Sequence, residues 1–247
     1  MKKNNYWQIS YHTDQNTREK NQDYGAYKIN NFGDYIAIVC DGIGSLDKSE
    51  YASQIVVETF IKNFSTNTRI KDVLKWFNKT LFESFTNIQR FSDNKLYAEN
   101  IGTTLVLSLN VNGKNYVFNI GDSRAYLIRD YQIKQLSVDH NYYNALIKSG
   151  RKSELESERA KWGCITNYID CRSFNSAQFD VMAYNPKDDD YVLICTDGLY
   201  NFIDAVSIID AVYDDSKTND EKVKYLVIKA MLNKSNDNVS GILIKKA

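Results

Sequence analysis

Apolar and polar positions along the chain follow two rhythms. Short runs rich in β-branched and aromatic residues predict strands near Trp7 to His12, Asp23 to Ile29, Tyr35 to Cys40, Thr103 to Leu109, Tyr116 to Ile120, Ala125 to Asp130, Phe179 to Ala183, Tyr191 to Cys195 and Val239 to Ile244. A spacing of three and four instead links Ala52, Ile55, Val56, Phe60 and Phe64, then Ile70, Val73, Leu74, Phe77, Leu81, Phe85 and Ile88, and last Val223, Leu226, Val227, Ala230 and Met231. Those three stripes predict amphipathic helices that turn their apolar faces to a core. Strands, two long helices, more strands and a late helix argue for antiparallel sheet covered by helices, not for a repeating βαβ unit. Turn segments such as "NVNGKN" between adjacent runs favour the same pairing.

Composition narrows the picture. With one proline, Pro186, 11 glycines and no repeat or low-complexity linker in 247 residues, a single domain over 1–247 is the simplest organisation. Lys plus Arg equals Asp plus Glu at 31 each, so no bulk field gathers nucleic acid or an anionic membrane, and neither is expected as a partner. No apolar run nears the roughly 20 residues of a membrane span. The start of the chain lacks the apolar segment of a secretory signal, and four cysteines (Cys40, Cys164, Cys171, Cys195) form no C-x-x-C pair. A cytosolic protein with reduced thiols is the expectation.

Two predicted core strands stop at Asp-Gly: "IAIVCDGIGS" at Asp41-Gly42 and "YVLICTDGLY" at Asp197-Gly198. One such pair reads most simply as a hairpin turn, because Asp-Gly tolerates positive φ. Three further acidic residues also stand at strand ends, however: Asp23 in "REKNQDYGAY", Asp122 in "YVFNIGDSRAYLIRD" and Asp237 in "SNDNVSGILI". Carboxylates gathered at one sheet edge repel unless protons or cations lie between them. An all-oxygen set without paired Cys or His selects hard ions, Mg²⁺ or Mn²⁺ before Zn²⁺. Gly42 would let backbone approach such an ion, with its carbonyl as a further ligand.

The segments "REKNQD", "VCDGIGS", "IGTTLVL", "NIGDSRAYL", "LSVDHN", "CTDGL" and "NDNVS" resemble, in order and rough spacing, the motifs of the metal-dependent PP2C family of protein Ser/Thr phosphatases, bacterial type. The resemblance spans about Arg18 to the C-terminus. It implies an α+β fold, a four-layer α/β/β/α sandwich of two packed antiparallel sheets flanked by helices, with a binuclear Mn²⁺ or Mg²⁺ centre at one end. It implies that Asp41 bridges two ions, that the Gly42 carbonyl joins it, that Asp197 and Asp237 complete the shell, and that Asp122 with Asp197 holds a third, weaker ion. Asp23 counts with this metal set, and Arg18 matches the arginine that contacts substrate phosphate. Asp41, Asp197 and Arg18 are thus the expected catalytic residues, with a metal-bridging hydroxide attacking phosphoserine or phosphothreonine. It further implies a monomer acting on phosphorylated proteins, a cognate Ser/Thr kinase or its targets among them.

The chain departs from the family at Gln22, where animal members carry Glu, and at Ile43, where eukaryotic members carry a His proposed as general acid. His140 matches the "DH" motif but is expected to serve the scaffold. The segment at about 141–178 matches the family's flap only by position; its Arg151, Lys152, Arg159 and Lys161 suit either phosphopeptide contact or a solvated face with charge pairs. A serine esterase built on "NIGDSRA" would need a helix after Ser123, where the pattern alternates like a strand. A cysteine phosphatase would need an Arg six positions after its Cys for the phosphate loop, and none of the four cysteines has one. A catalytically inactive PP2C-fold scaffold would be expected to have lost metal carboxylates, all of which are retained.

Overall fold

The computed structural model describes residues 7–46, 48–64, 68–93, 101–172 and 178–246. Twelve strands form among them: β1 (Trp7–Asp14), β2 (Tyr24–Ile29), β3 (Tyr35–Cys40), β4 (Gly102–Thr103), β5 (Leu105–Val111), β6 (Lys114–Ile120), β7 (Arg124–Arg129), β8 (Gln132–Gln135), β9 (Ile169–Asp170), β10 (Asp180–Tyr184), β11 (Tyr191–Cys195) and β12 (Val239–Lys246). The helices are α1 (Ser49–Asn63), α2 (Val73–Asp93), α3 (Tyr142–Lys148), α4 (Asp197–Tyr200), α5 (Ala205–Val212) and α6 (Asn219–Leu232). One five-stranded antiparallel sheet has the order β1-β12-β11-β7-β8 and the other β10-β6-β5-β3-β2; β4 and β9 pair separately.

Alternation along the strands separates the core into layers. Tyr35, Ala37 and Val39 of β3 meet Val192, Ile194, Ile242 and Ile244 between the two sheets. Their neighbours Ile36, Ile38 and Cys40 face α1 and α2, packing with Val56, Phe60, Phe77 and Leu81. On the opposite side Leu193 and Cys195 of β11 pack on α5 and α6 through Ile208, Val212, Val223 and Val227. Strands buried on both faces read as continuous apolar runs, which is why β3 and β11 showed no alternation in sequence. The result is the four-layer sandwich expected from the motifs. The capping box of α6, with Thr218 and Glu221 exchanging hydrogen bonds, fixes where the last helix begins.

Each of the nine predicted strands and three predicted helices corresponds to an element here. Six elements lay outside those predictions, α5 among them. β8 carries only Ile133 as an apolar residue, β4 and β9 are two residues long, and α3 and α4 are short. The segment at 141–178 opens with α3 and continues as 3-10 turns at Lys152–Glu154 and Arg159–Lys161; its residues 173–177 lie outside the described ones.

Candidate active site

Strand register brings the acidic residues together. The end of β3 lies beside the start of β5, which lies beside the end of β6. In the other sheet Cys195, the end of β11, pairs with Arg124 at the start of β7 and with Gly241 near the start of β12. Asp41, Asp122, Asp197 and Asp237 follow or precede these ends, so they share one edge of the sandwich. They line a cavity of about 160 Å³ with Gly42, Ile43, Gly44, Thr104 and Ile165.

Neither Asp-Gly pair makes a hairpin. Gly42 and Gly198 have negative φ, and the turn reading fails for both. Their requirement is room. A Cβ on Gly198 would stand 1.9 Å from the Asn238 carbonyl oxygen, so only glycine allows α4 to sit against the chain entering β12 and Asp197 to approach Asp237. A Cβ on Gly42 would stand 2.8 Å from the Gln22 carbonyl and 2.9 Å from that of Ser49. Gly42 therefore admits neighbouring protein backbone, a requirement separate from the expected approach of an ion.

Hydrogen bonds hold the acidic residues from behind. The Asp41 N–H donates to Thr104 Oγ1 at 2.9 Å, while its carbonyl accepts from the Thr104 N–H at 2.8 Å and Thr103 Oγ1 at 2.9 Å. Gly121, with φ of +101°, turns the chain into Asp122, and its N–H donates to His140 Nδ1 at 3.1 Å. His140 Nε2 meets Asp180, so both ring nitrogens serve the scaffold. Arg124 forks onto Asp139 at 2.7–3.1 Å and stacks 3.7 Å from the Tyr200 ring centroid; the Tyr200 hydroxyl donates to the Asp122 carbonyl at 3.0 Å. Asn238 accepts the Gln22 N–H and donates to the carbonyls of Gln15 and Lys20, fastening the loop that carries Arg18.

Electrostatics mark the cluster as short of positive charge. Burial first, then the charges of Asp23, Asp197, Asp122 and Asp237, hold the Asp41 carboxyl well above the usual range. Asp122 is pushed up to about 7 by burial and then by Asp197. Asp197 is raised by burial and by Asp237, partly offset by hydrogen bonds from Asp41 and the Gly198 N–H. Asp23 is also pushed up to about 7, by burial above all, but it does not line the cavity. It is 5% exposed and accepts from Thr196 Oγ1 at 2.9 Å, behind the wall.

Arg18 is half-exposed and gives Nη2 to Asp237 Oδ2 at 2.8 Å and Nε to the Asn236 carbonyl at 2.9 Å. Among the described residues no three acidic, His or Cys side chains close into one compact metal-ligand group. Their chemistry nonetheless fits a hard cation: four carboxylates, three of them raised by mutual repulsion and burial, face one small cavity without a soft ligand.

Sequence reasoning missed Thr104, Arg124, Asp139, Thr196, Tyr200 and Asn238. All six stand within or beside the quoted motifs, Asp139 in "LSVDHN" among them, and that position was the available clue. Ser123 is fully buried and shares a 2.7 Å hydrogen bond with Thr104, and strand β7 follows it, so no esterase elbow forms. Arg151 pairs with Glu154 and Lys161 with Glu158, which favours the solvated face for that stretch.

The protein phosphatase 2C family model matches residues 11–233. Protein phosphatase PhpP of Streptococcus pneumoniae is 30% identical over 231 residues, covering 92% of this chain and 92% of its own. The crystal structure of serine/threonine phosphatase Stp1 from Staphylococcus aureus superposes with a TM-score of 0.85 at 25% identity, over 98% of this chain and 96% of that one. The catalytic domain of serine/threonine protein phosphatase PstP, in complex with two manganese ions, superposes with a TM-score of 0.79 at 21% identity, over 97% of each chain.

Proposed function

The chain belongs to the protein phosphatase 2C family, and from that premise we propose that its acidic cavity hydrolyses phosphoserine and phosphothreonine in protein substrates with two Mn²⁺ or Mg²⁺ ions. The observation that carries this reading is the convergence of Asp41, Asp122, Asp197 and Asp237 on a cavity the size of a phosphate and its ions. Ions bound there would lower the pKa of a water between them and neutralise charge on the phosphoryl oxygens.

Asp41, Asp197 and Asp237, with the Gly42 carbonyl, would hold the two core ions, and Asp122 with Asp197 a third. Asp23, behind the wall, fixes the strand end through Thr196 and adds negative charge that Asp41 feels directly. Arg18 lies near Gly44 on the rim, where its unused N–H groups can fork onto phosphate oxygens. Ile43 has no proton to give, so the leaving serine or threonine oxygen takes its proton from water or another group. The segment at 141–178 acts as a flap, since its Gly163 and Ile165 line the cavity. The proposed working unit is a monomer. On this reading the substrates are phosphorylated proteins, a cognate Ser/Thr kinase or its targets among them.

The test is turnover of p-nitrophenyl phosphate and a phosphoserine peptide with and without Mn²⁺ or Mg²⁺. Metal-dependent hydrolysis is expected. Activity that survives exhaustive chelation overturns the metal mechanism, and no turnover with either ion leaves a scaffold role.

A further inference from the structure

The acidic cavity is too small to hold more than the phosphate end of a protein substrate, so the flanking residues must lie outside it. A second cavity of about 610 Å³ shares Gly163 with it and runs between β8 and α3. That volume is ordinary for a ligand groove. The only charged side chains among its described lining are Arg124 and Asp139, which are forked onto each other. Gln135, Ser137, Asn141 and Asn144 also line it, uncharged and each hydrogen-bonded within the wall, and the apolar contact surface is Val138, half-exposed, with the edge-to-face pair Tyr143 and Trp162, ring centroids 5.0 Å apart. The Trp162 indole N–H is fixed on the Leu155 carbonyl at 3.0 Å, and the Tyr143 N–H donates to the Trp162 carbonyl, so the pair is held in place before any ligand arrives.

Gly163 is the junction, and the fold does not need it to be glycine. Nothing stands within 4 Å of where its Cβ would lie, and its backbone is outside the left-handed region. A residue without a side chain, where neither packing nor φ asks for one, leaves open space at the residue the two cavities share.

Resting on the phosphatase reading, we propose that this groove binds the residues next to the phosphorylated one and selects substrates in which they are uncharged and apolar or aromatic. A charged neighbour would lose its water opposite an ion pair that already satisfies itself, whereas Leu or Tyr would pack on Tyr143 and Trp162.

The experiment compares kcat/KM on p-nitrophenyl phosphate with that on phosphoserine peptides flanked by Leu and Tyr, by Asp, or by Arg. The native protein should prefer the Leu and Tyr peptide about tenfold. Trp162→Ala should lower the ratio of that peptide to p-nitrophenyl phosphate about tenfold, Gly163→Leu at least as far, and Trp162→Phe should restore most of it. A preference for acidic or basic neighbours, or native ratios in both Trp162→Ala and Gly163→Leu, overturns the groove while the phosphatase reading stands. Turnover of neither substrate by the native protein overturns that reading and the groove with it.

Discussion

Strand β11 has an aspartate just outside each end, and the two live in opposite surroundings. Asp190, before the strand, is forked by Arg129 with contacts of 2.5–3.1 Å and also accepts the Lys187 N–H. Asp197, after it, faces Asp41 and Asp237 and is raised by burial and by the charge of Asp237. Both are removed from bulk water, so burial alone does not distinguish them. The difference is the source of the balancing charge. At one end the protein supplies its own guanidinium, and the carboxylate fastens the sandwich. At the other end it supplies a single half-exposed arginine for four carboxylates, and the balance must come from outside the chain.

The largest effect should follow from removing the centre of the charged end. Asp41→Asn is expected to lower phosphopeptide turnover by orders of magnitude, without rescue by excess Mn²⁺, because both core ions depend on it. Asp122→Asn should slow turnover while calorimetry still finds two tightly bound ions. Two ions and full activity in Asp41→Asn would erase the contrast between the two ends of β11.

Next in size is the pH response of metal-stripped protein. Asp23 and Asp122 are each pushed up to about 7, so the folded state binds their protons more tightly than the unfolded chain does. Stability is then fully present below the unfolded value near 4 and is lost as pH rises through about 7. Thermal melting should occur at lower temperature at pH 8 than at pH 5, by about 2–4 °C for each kcal/mol lost. Saturating Mn²⁺ should flatten the slope, and a flat metal-free profile would remove the charge deficit from the account.

At the opposite end, Asp190→Asn should cost about 1.5–3 kcal/mol in urea unfolding by stripping charged hydrogen bonds from Arg129, with kcat of the folded fraction unchanged. A loss of kcat at full folding would show that the far end is not separate from the site. The smallest effect belongs to Tyr200→Phe, which deletes one hydrogen bond to the Asp122 carbonyl and should cost about 0.5–1.5 kcal/mol. Its Arg124 stacking face is kept, so a larger loss would place more weight on that hydroxyl.

Legibility in the sequence followed apolar density. β3 and β11 announced themselves because both faces are buried, and α2 because its stripe is long. β8 was silent because one apolar residue cannot set a period. The acidic residues were readable as strand punctuation, and motif order tied them to a family. What sequence could not separate was Asp23 from the others: its neighbours in the chain resemble theirs, and only the pairing of β2 with β3 sets it behind the wall. One requirement on the glycines was hidden for a related reason. Gly42 and Gly198 are needed by backbone from distant segments, at Gln22 and Asn238, which no local pattern reveals.

The position of β12 has a consequence for how the protein is made. It is the last strand among the described residues yet sits between β1 and β11, pairing with both. A ribosome therefore delivers β1 long before its neighbour exists, and the sheet cannot close until residues 239–246 have left the exit tunnel. Asp237 and Asn238 arrive in the same final moments, and with them the anchor for the Arg18 loop. A nascent chain, or one cut short before β12, would hold three of the four cavity aspartates on an open, aggregation-prone sheet with no assembled centre. Completion of β12 and completion of the site are one event, so a product cut short before β12 would be poorly folded and inert, not a folded phosphatase running free.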